Sequence, residues 1–178
     1  NTNITNSTFR FNTVIKNGGA IDSNAANIGI YNITFEANYA GEYGAALCRE
    51  SGSTRGHGQN NTFLYNHAGI AGAAIAWLNV KNMAIDHYYF INNTAGYSGG
   101  AIYVSRNSDN STIDFSYFEG NEIANNLEGY GGAMAILGNG SNIKNSEFVN
   151  NYAFEGGAIY TGVTSGNIHI LNVTFKDS

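Results

Sequence analysis

The sequence contains no proline, one cysteine and few charged residues. Asp, Glu, Lys and Arg make up only 12% of the chain, against an ordinary share of about a quarter. The single Cys48 excludes an intrachain disulfide, so the fold must be held without covalent cross-links. A net charge of −5 provides no basic face for nucleic acid. No apolar run approaches the roughly 20 residues that a helix needs to cross a bilayer.

Asparagine, glycine and apolar residues are abundant instead. The chain has 28 Asn and 23 Gly, a composition that by itself could indicate disorder. Hydrophobic residues at 43% and aromatic residues at 13% argue for a packed interior. We therefore expect a folded protein whose surface is polar but weakly charged.

The sequence repeats itself about every 27 residues, and each copy carries two short motifs. The first motif is F-x-x-N, and successive Phe residues are separated by 26, 28, 27, 28, 30 and 27 residues. These residues are Phe9, Phe35, Phe63, Phe90, Phe118, Phe148 and, in an incomplete seventh copy, Phe175. The second motif is G-[GA]-A-[ILM], which begins at Gly18, Gly44, Gly72, Gly99, Gly131 and Gly156.

Apolar residues between the motifs alternate with period two, as in Ile28/Ile30 and Ile33/Phe35, which indicates short strands rather than helices. Short strands separated by glycine, in a repeat of this length, are typical of one turn of a parallel β-helix. Chain chirality favours a right-handed crossover between parallel strands. The sequence therefore predicts an all-β, right-handed parallel β-helix, or solenoid, of about seven coils, with residues 1–178 forming a single domain.

Stacked coils turn each motif position into a column along the axis. The Phe rings are expected to stack through the core, each contributing at most about 1.5–3 kcal/mol. An Ile column five residues before each Phe is broken only by Gly58. A buried amide needs partners at both ends, so the motif Asn residues are predicted to form a continuous hydrogen-bonded ladder. The ladder residues are Asn12, Asn38, Asn66, Asn93, Asn121 and Asn151.

The coupling of F-x-x-N with GGA[ILM] resembles the repeats of the chlamydial polymorphic membrane proteins, and it is similar to adhesin-like surface proteins of methanogenic archaea. The resemblance covers essentially the whole chain. Departures from it are Ala45 and Ala73 in the second motif and a four-residue insertion between Asn121 and Gly131. The resemblance implies a right-handed β-helix at a cell surface that serves adhesion. Because the sequence begins without an initiator Met or a signal peptide, we expect a fragment of a longer surface protein.

Eight N-x-[ST] sequons occur in the chain, and they indicate N-glycosylation only in part. Four of them stand three residues before a Phe, where a structural turn would create the same pattern without any sugar. These are Asn6, Asn32, Asn60 and Asn172. Asn110 and Asn139 fall in variable loops and are the positions where we expect a glycan if the natural protein carries one.

Residues 48–59 interrupt the repeat pattern and concentrate charge. Loops on a rigid scaffold commonly carry binding residues, so Arg49, Arg55 and His57 are candidates for binding. The alternative is a flexible connection with solvated charges. The other coils place Asp, Ala or Tyr in the column of Cys48, so we expect no catalytic thiol. The four His residues share no metal-ligand spacing, and neither a metal nor a cofactor is predicted.

Asp86, Asp114 and Lys144 occupy one column, four residues before the Phe, in three consecutive coils. Two carboxylates about 4.8 Å apart could bind a cation or act as acid and base on a sugar, with Tyr89, Tyr117 and Glu147 as a flanking wall. The alternative is a solvated ladder in which Lys144 offsets two negative charges. These three residues are therefore further candidates for binding, and none is assigned a catalytic role.

These features favour a non-enzymatic cell-surface adhesin, or the stalk of one, that is extracellular and presents loops for attachment. The expected partner is a glycan or protein on a host or neighbouring cell, and open coil ends could also self-associate. No nucleic-acid partner and no transmembrane segment are expected in this chain. Two alternatives stay open, which are a polysaccharide lyase or hydrolase on a β-helix and a structural filament or envelope subunit.

Overall fold

The computed structural model describes residues 2–50, 56–125, 127–163 and 165–178, and every regular element in these ranges is a β-strand. The strands wind into a parallel β-solenoid of about six turns. Each turn passes through up to four sheets, and each strand pairs in parallel with its counterpart in the next turn. This confirms the predicted all-β solenoid, in which the seventh predicted coil contributes His169–Leu171 and Thr174–Lys176.

The four sheets are named here in the order in which the chain passes through them. Sheet A consists of Thr2–Thr5, Ile28–Tyr31, His57–Gln59, Ala84–Asp86, Thr112–Asp114, Asn142–Lys144 and His169–Leu171. Sheet B consists of Thr8–Arg10, Thr34–Glu36, Thr62–Leu64, Tyr89–Ile91, Tyr117–Glu119, Glu147–Val149 and Thr174–Lys176. Sheet C consists of Thr13–Val14, Tyr39–Ala40, His67–Ala68, Thr94–Ala95 and Glu122–Ile123. Sheet D consists of Ile21–Ser23, Leu47–Arg49, Ile75–Trp77, Ile102–Val104, Met134–Ile136 and Ile159–Thr161.

The Phe column forms a continuous stack of rings through the core. Neighbouring ring centroids lie between 4.4 and 5.3 Å apart, and the rings are nearly parallel. The five rings from Phe35 to Phe148 are fully buried. The register that aligns them also places Arg10 opposite Glu36, with 3.7 Å between Nη2 and Oε2. The repeat alone predicts this surface ion pair, because Arg10 and Glu36 each follow the motif Phe by one residue in adjacent coils, and it contributes under about 1 kcal/mol.

The Ile column lies inside sheet A in the predicted register, and its one gap is filled from a neighbouring column. A Cβ on Gly58 would lie 2.1 Å from the hydroxyl oxygen of Tyr88. Tyr88 is 1% exposed and packs against Phe63 and Phe90. The third coil therefore loses an Ile side chain where the fourth coil supplies a larger ring.

The six motif Asn residues form the predicted ladder. In Asn66, Oδ1 accepts hydrogen bonds from Nδ2 and the backbone N–H of Asn38, at 2.9 and 3.1 Å. Its Nδ2 donates to Oδ1 of Asn93 at 2.9 Å and to the backbone oxygen of Phe35 at 3.1 Å. The same pattern runs on to the last motif Asn. Every amide from Asn38 to Asn151 therefore has both ends bonded, which is why polar side chains are tolerated in this core.

Within the described ranges, no helix is long and apolar enough to span a membrane.

Candidate functional site

A groove of about 300 Å³ lies on the surface where sheet A turns into sheet B in the fourth to sixth coils. We call it the aromatic groove, and it is lined by His87, Tyr89, Phe115, Ser116, Tyr117, Asn145 and Glu147. Tyr89 and Phe115 are 49% and 52% exposed. The ring of His87 stacks on that of Phe115 with 5.1 Å between centroids. The groove is at the lower end of the volumes that ligand sites occupy in proteins.

The turn between the two sheets requires a left-handed backbone three residues before each Phe. His87 and Phe115 have φ angles of +55° and +43°. The other coils have Asn at this position, namely Asn6, Asn32, Asn60, Asn145 and Asn172. Asn adopts this conformation readily, whereas a bulky side chain costs about 1–2 kcal/mol there. Phe115 thus adds backbone strain and exposes an apolar ring, as Tyr65 does in another turn; Phe115 differs from Tyr65 in that its ring lines the groove.

Polar groups stand beside the rings of the groove. The Tyr117 hydroxyl donates to Oε2 of Glu119 at 3.1 Å. Burial, followed by this hydrogen bond, raises the pKa of Tyr117, so the hydroxyl stays neutral and can accept a hydrogen bond from a ligand. The Glu147 carboxylate is paired with Lys176. The groove therefore combines aromatic faces with neutral and charge-balanced polar groups.

Asp86, Asp114 and Lys144 stack in consecutive coils, as their column predicts, but they lie beside the groove rather than in its wall. The Asp114 carboxylate accepts hydrogen bonds from Lys144 at 3.0 Å and from Nδ2 of Asn145 at 2.8 Å. Partial burial opposes ionisation of Asp114, but these two partners outweigh it and hold its pKa below the usual range. The carboxyl group is thus ionised at neutral pH and is a poor proton donor.

Asp86 has partners of its own. Its carboxylate accepts a hydrogen bond from Nε2 of Gln59 at 2.9 Å and contacts Nδ1 of His87 at 2.8 Å. Asp86 and Asp114 therefore bond to different neighbours. This agrees with the alternative given above, a ladder of surface residues in which Lys144 offsets the negative charges. Cation binding by Asp86 and Asp114 stays a prediction.

Of the three binding candidates from the charged stretch, Arg49 and His57 lie among the described residues and have different environments. Arg49 is buried, with 2% of the residue exposed, and its Nη2 donates to the backbone oxygen of Ile28 at 2.8 Å. The alternative of a flexible connection with solvated charges is therefore wrong for Arg49, because its strand turns the side chain into the core. His57 is exposed and its ring meets that of Tyr31 edge to face. Arg55 lies outside the described residues.

Stacking also assembles a cluster that the sequence did not reveal. The ligating atoms of Asp22, Cys48 and Glu50 all lie within 4.8 Å of one another. These donor types suit zinc and related metals, although the thiol would first have to lose its proton. Burial, and then the charges of Asp22 and Glu50, raise the pKa of the Cys48 thiol. Cys48 is therefore protonated at neutral pH, which argues against a nucleophilic role.

The two predicted glycosylation positions are both exposed. Asn110 Nδ2 lies 3.5 Å from Oδ1 of Asn82, and Asn139 Oδ1 accepts a hydrogen bond from the backbone N–H of Gly166 at 2.8 Å. Glycosylation at either position stays a prediction. Asn6, Asn32, Asn60 and Asn172 have φ near +50° to +56°, so the turn accounts for their sequons structurally.

The columns and the four parallel sheets define the chain as a β-solenoid repeat protein. Residues 88–105 match the family model of the Chlamydia polymorphic membrane protein repeat. This segment contains both motifs of the fourth coil and one residue that lines the aromatic groove, Tyr89. The resemblance to that repeat is thereby confirmed for this segment, and the similarity to archaeal adhesins stays a prediction.

Searches of curated proteins and of solved structures gave no significant match. The matched repeat and the solenoid fold are together consistent with an adhesin-like surface protein.

Proposed function

We propose that the chain is a rigid, non-enzymatic part of an extracellular cell-surface adhesin and that its aromatic groove binds a neutral saccharide. The observation that carries this proposal is Phe115, a half-exposed ring in a left-handed turn where other coils have Asn. Unlike the similarly exposed Tyr65, Phe115 lines a groove together with Tyr89 and Tyr117, where a bound ligand would cover all three rings.

Saccharides fit the chemistry of the groove. The C–H face of a pyranose ring packs against an aromatic face, while its hydroxyls donate and accept hydrogen bonds at the ring's edge. Phe115, Tyr89 and Tyr117 supply aromatic faces, and Glu147 and the Tyr117 hydroxyl supply polar partners. A solenoid holds these groups on paired strands, so little ordering is needed when a ligand binds.

The charges around the groove favour a neutral sugar. Lys144 is paired with Asp114, and Lys176 is paired with Glu147. An acidic saccharide would have to compete with these carboxylates for the lysines. A neutral oligosaccharide needs no such exchange, and it would still find carboxylate oxygens as acceptors for its hydroxyls.

The proposal predicts that Phe115→Asn separates ligand binding from stability. Asn restores the residue that the turn accepts in other coils, so the variant should be as stable as the wild type or more stable by about 1 kcal/mol. Binding of neutral oligosaccharides, found by glycan array and quantified by isothermal titration calorimetry, should weaken about tenfold or more as the ring contact is lost.

Tyr65→Asn is the matched control. Tyr65 is 59% exposed and has φ +54°, but it stands in a different turn, two residues after a Phe. Its replacement should have a similar effect on stability and leave saccharide binding unchanged. Failure of the wild type to bind any neutral saccharide, or binding that survives Phe115→Asn, would overturn the assignment of the groove.

A further inference from the structure

A buried arginine lies in the core without an acidic partner. Arg49 ends one strand of sheet D, and its column continues as Trp77, Val104 and Ile136, all of them buried. None of the ion pairs among the described residues involves Arg49. The residues outside the described ranges include no Asp or Glu. No carboxylate of this sequence therefore forms an ion pair with Arg49, as far as the described residues show.

Part of the guanidinium group also lacks a hydrogen-bond acceptor. Nη2 donates to the backbone oxygen of Ile28, but Nη1 has no hydrogen-bond partner among the described residues. The buried Tyr88 hydroxyl offers no counter-charge, because burial raises its pKa and keeps it neutral. An arginine stays charged in proteins, and an uncompensated buried charge is strongly destabilising.

Arg49 also lines a small cavity. Its walls include Arg49, Gly56, Trp77, Met83 and Tyr88, and its volume is about 10 Å³. A Cβ on Gly56 would lie 2.6 Å from Sδ of Met83 and 3.1 Å from Nη1, so only a glycine fits beside this side of the guanidinium group. The volume is about that of one water molecule, so phosphate, sulfate and carboxylates do not fit, and a chloride ion fits only if a wall residue moves.

We infer that this cavity is a binding site for a single halide ion, with chloride as the natural ligand, held by Nη1 of Arg49. A water molecule could accept the N–H hydrogen bond but would leave the charge uncompensated. A halide does both. Met83, an unbranched and adaptable side chain in the cavity wall, can shift to admit an ion slightly larger than water.

The site is tested directly by soaking crystals of the wild-type protein in bromide. Anomalous scattering should place one bromide in the cavity within hydrogen-bonding distance of Arg49 Nη1. In solution, the thermal unfolding midpoint should rise with chloride concentration, because a ligand that binds only the folded state stabilises it. Gluconate, which is too large for the cavity, replaces chloride to keep the ionic strength constant.

Arg49→Met fills a similar volume without the charge, and its unfolding midpoint should be the same in chloride and in gluconate. Arg106→Met, at an exposed arginine, should retain the chloride dependence of the wild type. If Arg49→Met does not fold, the bromide experiment on the wild-type protein still shows whether the cavity binds a halide ion. A cavity that holds water without anomalous signal, or a wild-type midpoint that is equal in both salts, would overturn the inference.

Discussion

The asparagine ladder is the residue-scale feature on which the polar core depends. Each amide inside the ladder bonds to the coil before it and the coil after it, so no single residue is satisfied by its own coil alone. Asn38, Asn66, Asn93 and Asn121 have no exposed surface. Water therefore cannot replace a partner that is lost.

Replacing Asn93 by Leu should destabilise the protein by about 1–3 kcal/mol, because the change leaves buried groups on both sides without partners. Nδ2 and the backbone N–H of Asn66 both lose Oδ1 of Asn93 as their acceptor, and Oδ1 of Asn121 loses one of its two donors. Urea denaturation of the variant and the wild type measures the difference. Asn107→Leu is the control, since Asn107 is exposed and bonded to Asn79 only at the surface. An equal effect of the two changes would contradict the role given to the ladder.

At the scale of the element, the glycine motif sets how closely one coil approaches the next. A Cβ on Gly100 would lie 2.0 Å from the backbone oxygen of Gly132 in the following coil. Backbone cannot move away without disturbing the sheet ladders on either side of the motif. Ala45 and Ala73 occupy the same motif position in other coils, so the constraint belongs to particular pairs of coils.

Gly100→Ala is accordingly expected to destabilise the protein by about 2–4 kcal/mol through overpacking against the fifth coil. Gly166→Ala is the matched control, because a Cβ there would meet its nearest neighbour, Oδ1 of Asn139, at an ordinary 3.4 Å. Thermal unfolding followed by circular dichroism compares the two variants. If Gly100→Ala unfolds at the same temperature as Gly166→Ala, the close approach does not limit the packing of these coils.

At the scale of the whole molecule, each coil pairs only with its immediate neighbours, as in other repeat proteins. The central coils are the most buried, whereas the strands Thr2–Thr5, His169–Leu171 and Thr174–Lys176 are largely exposed. Apolar side chains in the last two strands, Ile170 and Phe175, are 47% and 48% exposed. Self-association through the coil ends stays a prediction, which sedimentation equilibrium would test.

Amide hydrogen exchange should therefore decrease in rate from both ends of the solenoid toward the middle. We expect the slowest exchange in strands such as Ile75–Trp77 and Ile102–Val104, and the fastest in Thr2–Thr5 and Thr174–Lys176. Exchange followed by mass spectrometry resolves these segments. Equal protection along the whole chain would show that the solenoid opens only as a single unit.

The repeat made the architecture predictable from the sequence alone. When each copy adds one coil, positions that recur in the sequence become neighbours in space, so the Phe stack, the Asn ladder and the pairing of Arg10 with Glu36 could all be predicted. Local sequence patterns predict the same coil as the repeat does, because alternating apolar residues favour strands and the glycine motif favours close turns.

For residues that depart from the repeat, exposure and side-chain contacts depend on the tertiary structure and could not be predicted from the sequence. The column of Phe115 was visible in the sequence, but the left-handed turn that exposes its ring depends on how sheet A meets sheet B. Arg49 stands in a charged stretch and is nevertheless buried, because its strand points it into the core. The cluster of Asp22, Cys48 and Glu50 likewise requires side-chain directions in two stacked coils. A recurring pattern fixes which residues are neighbours, whereas side-chain direction and packing at a unique position depend on everything around it.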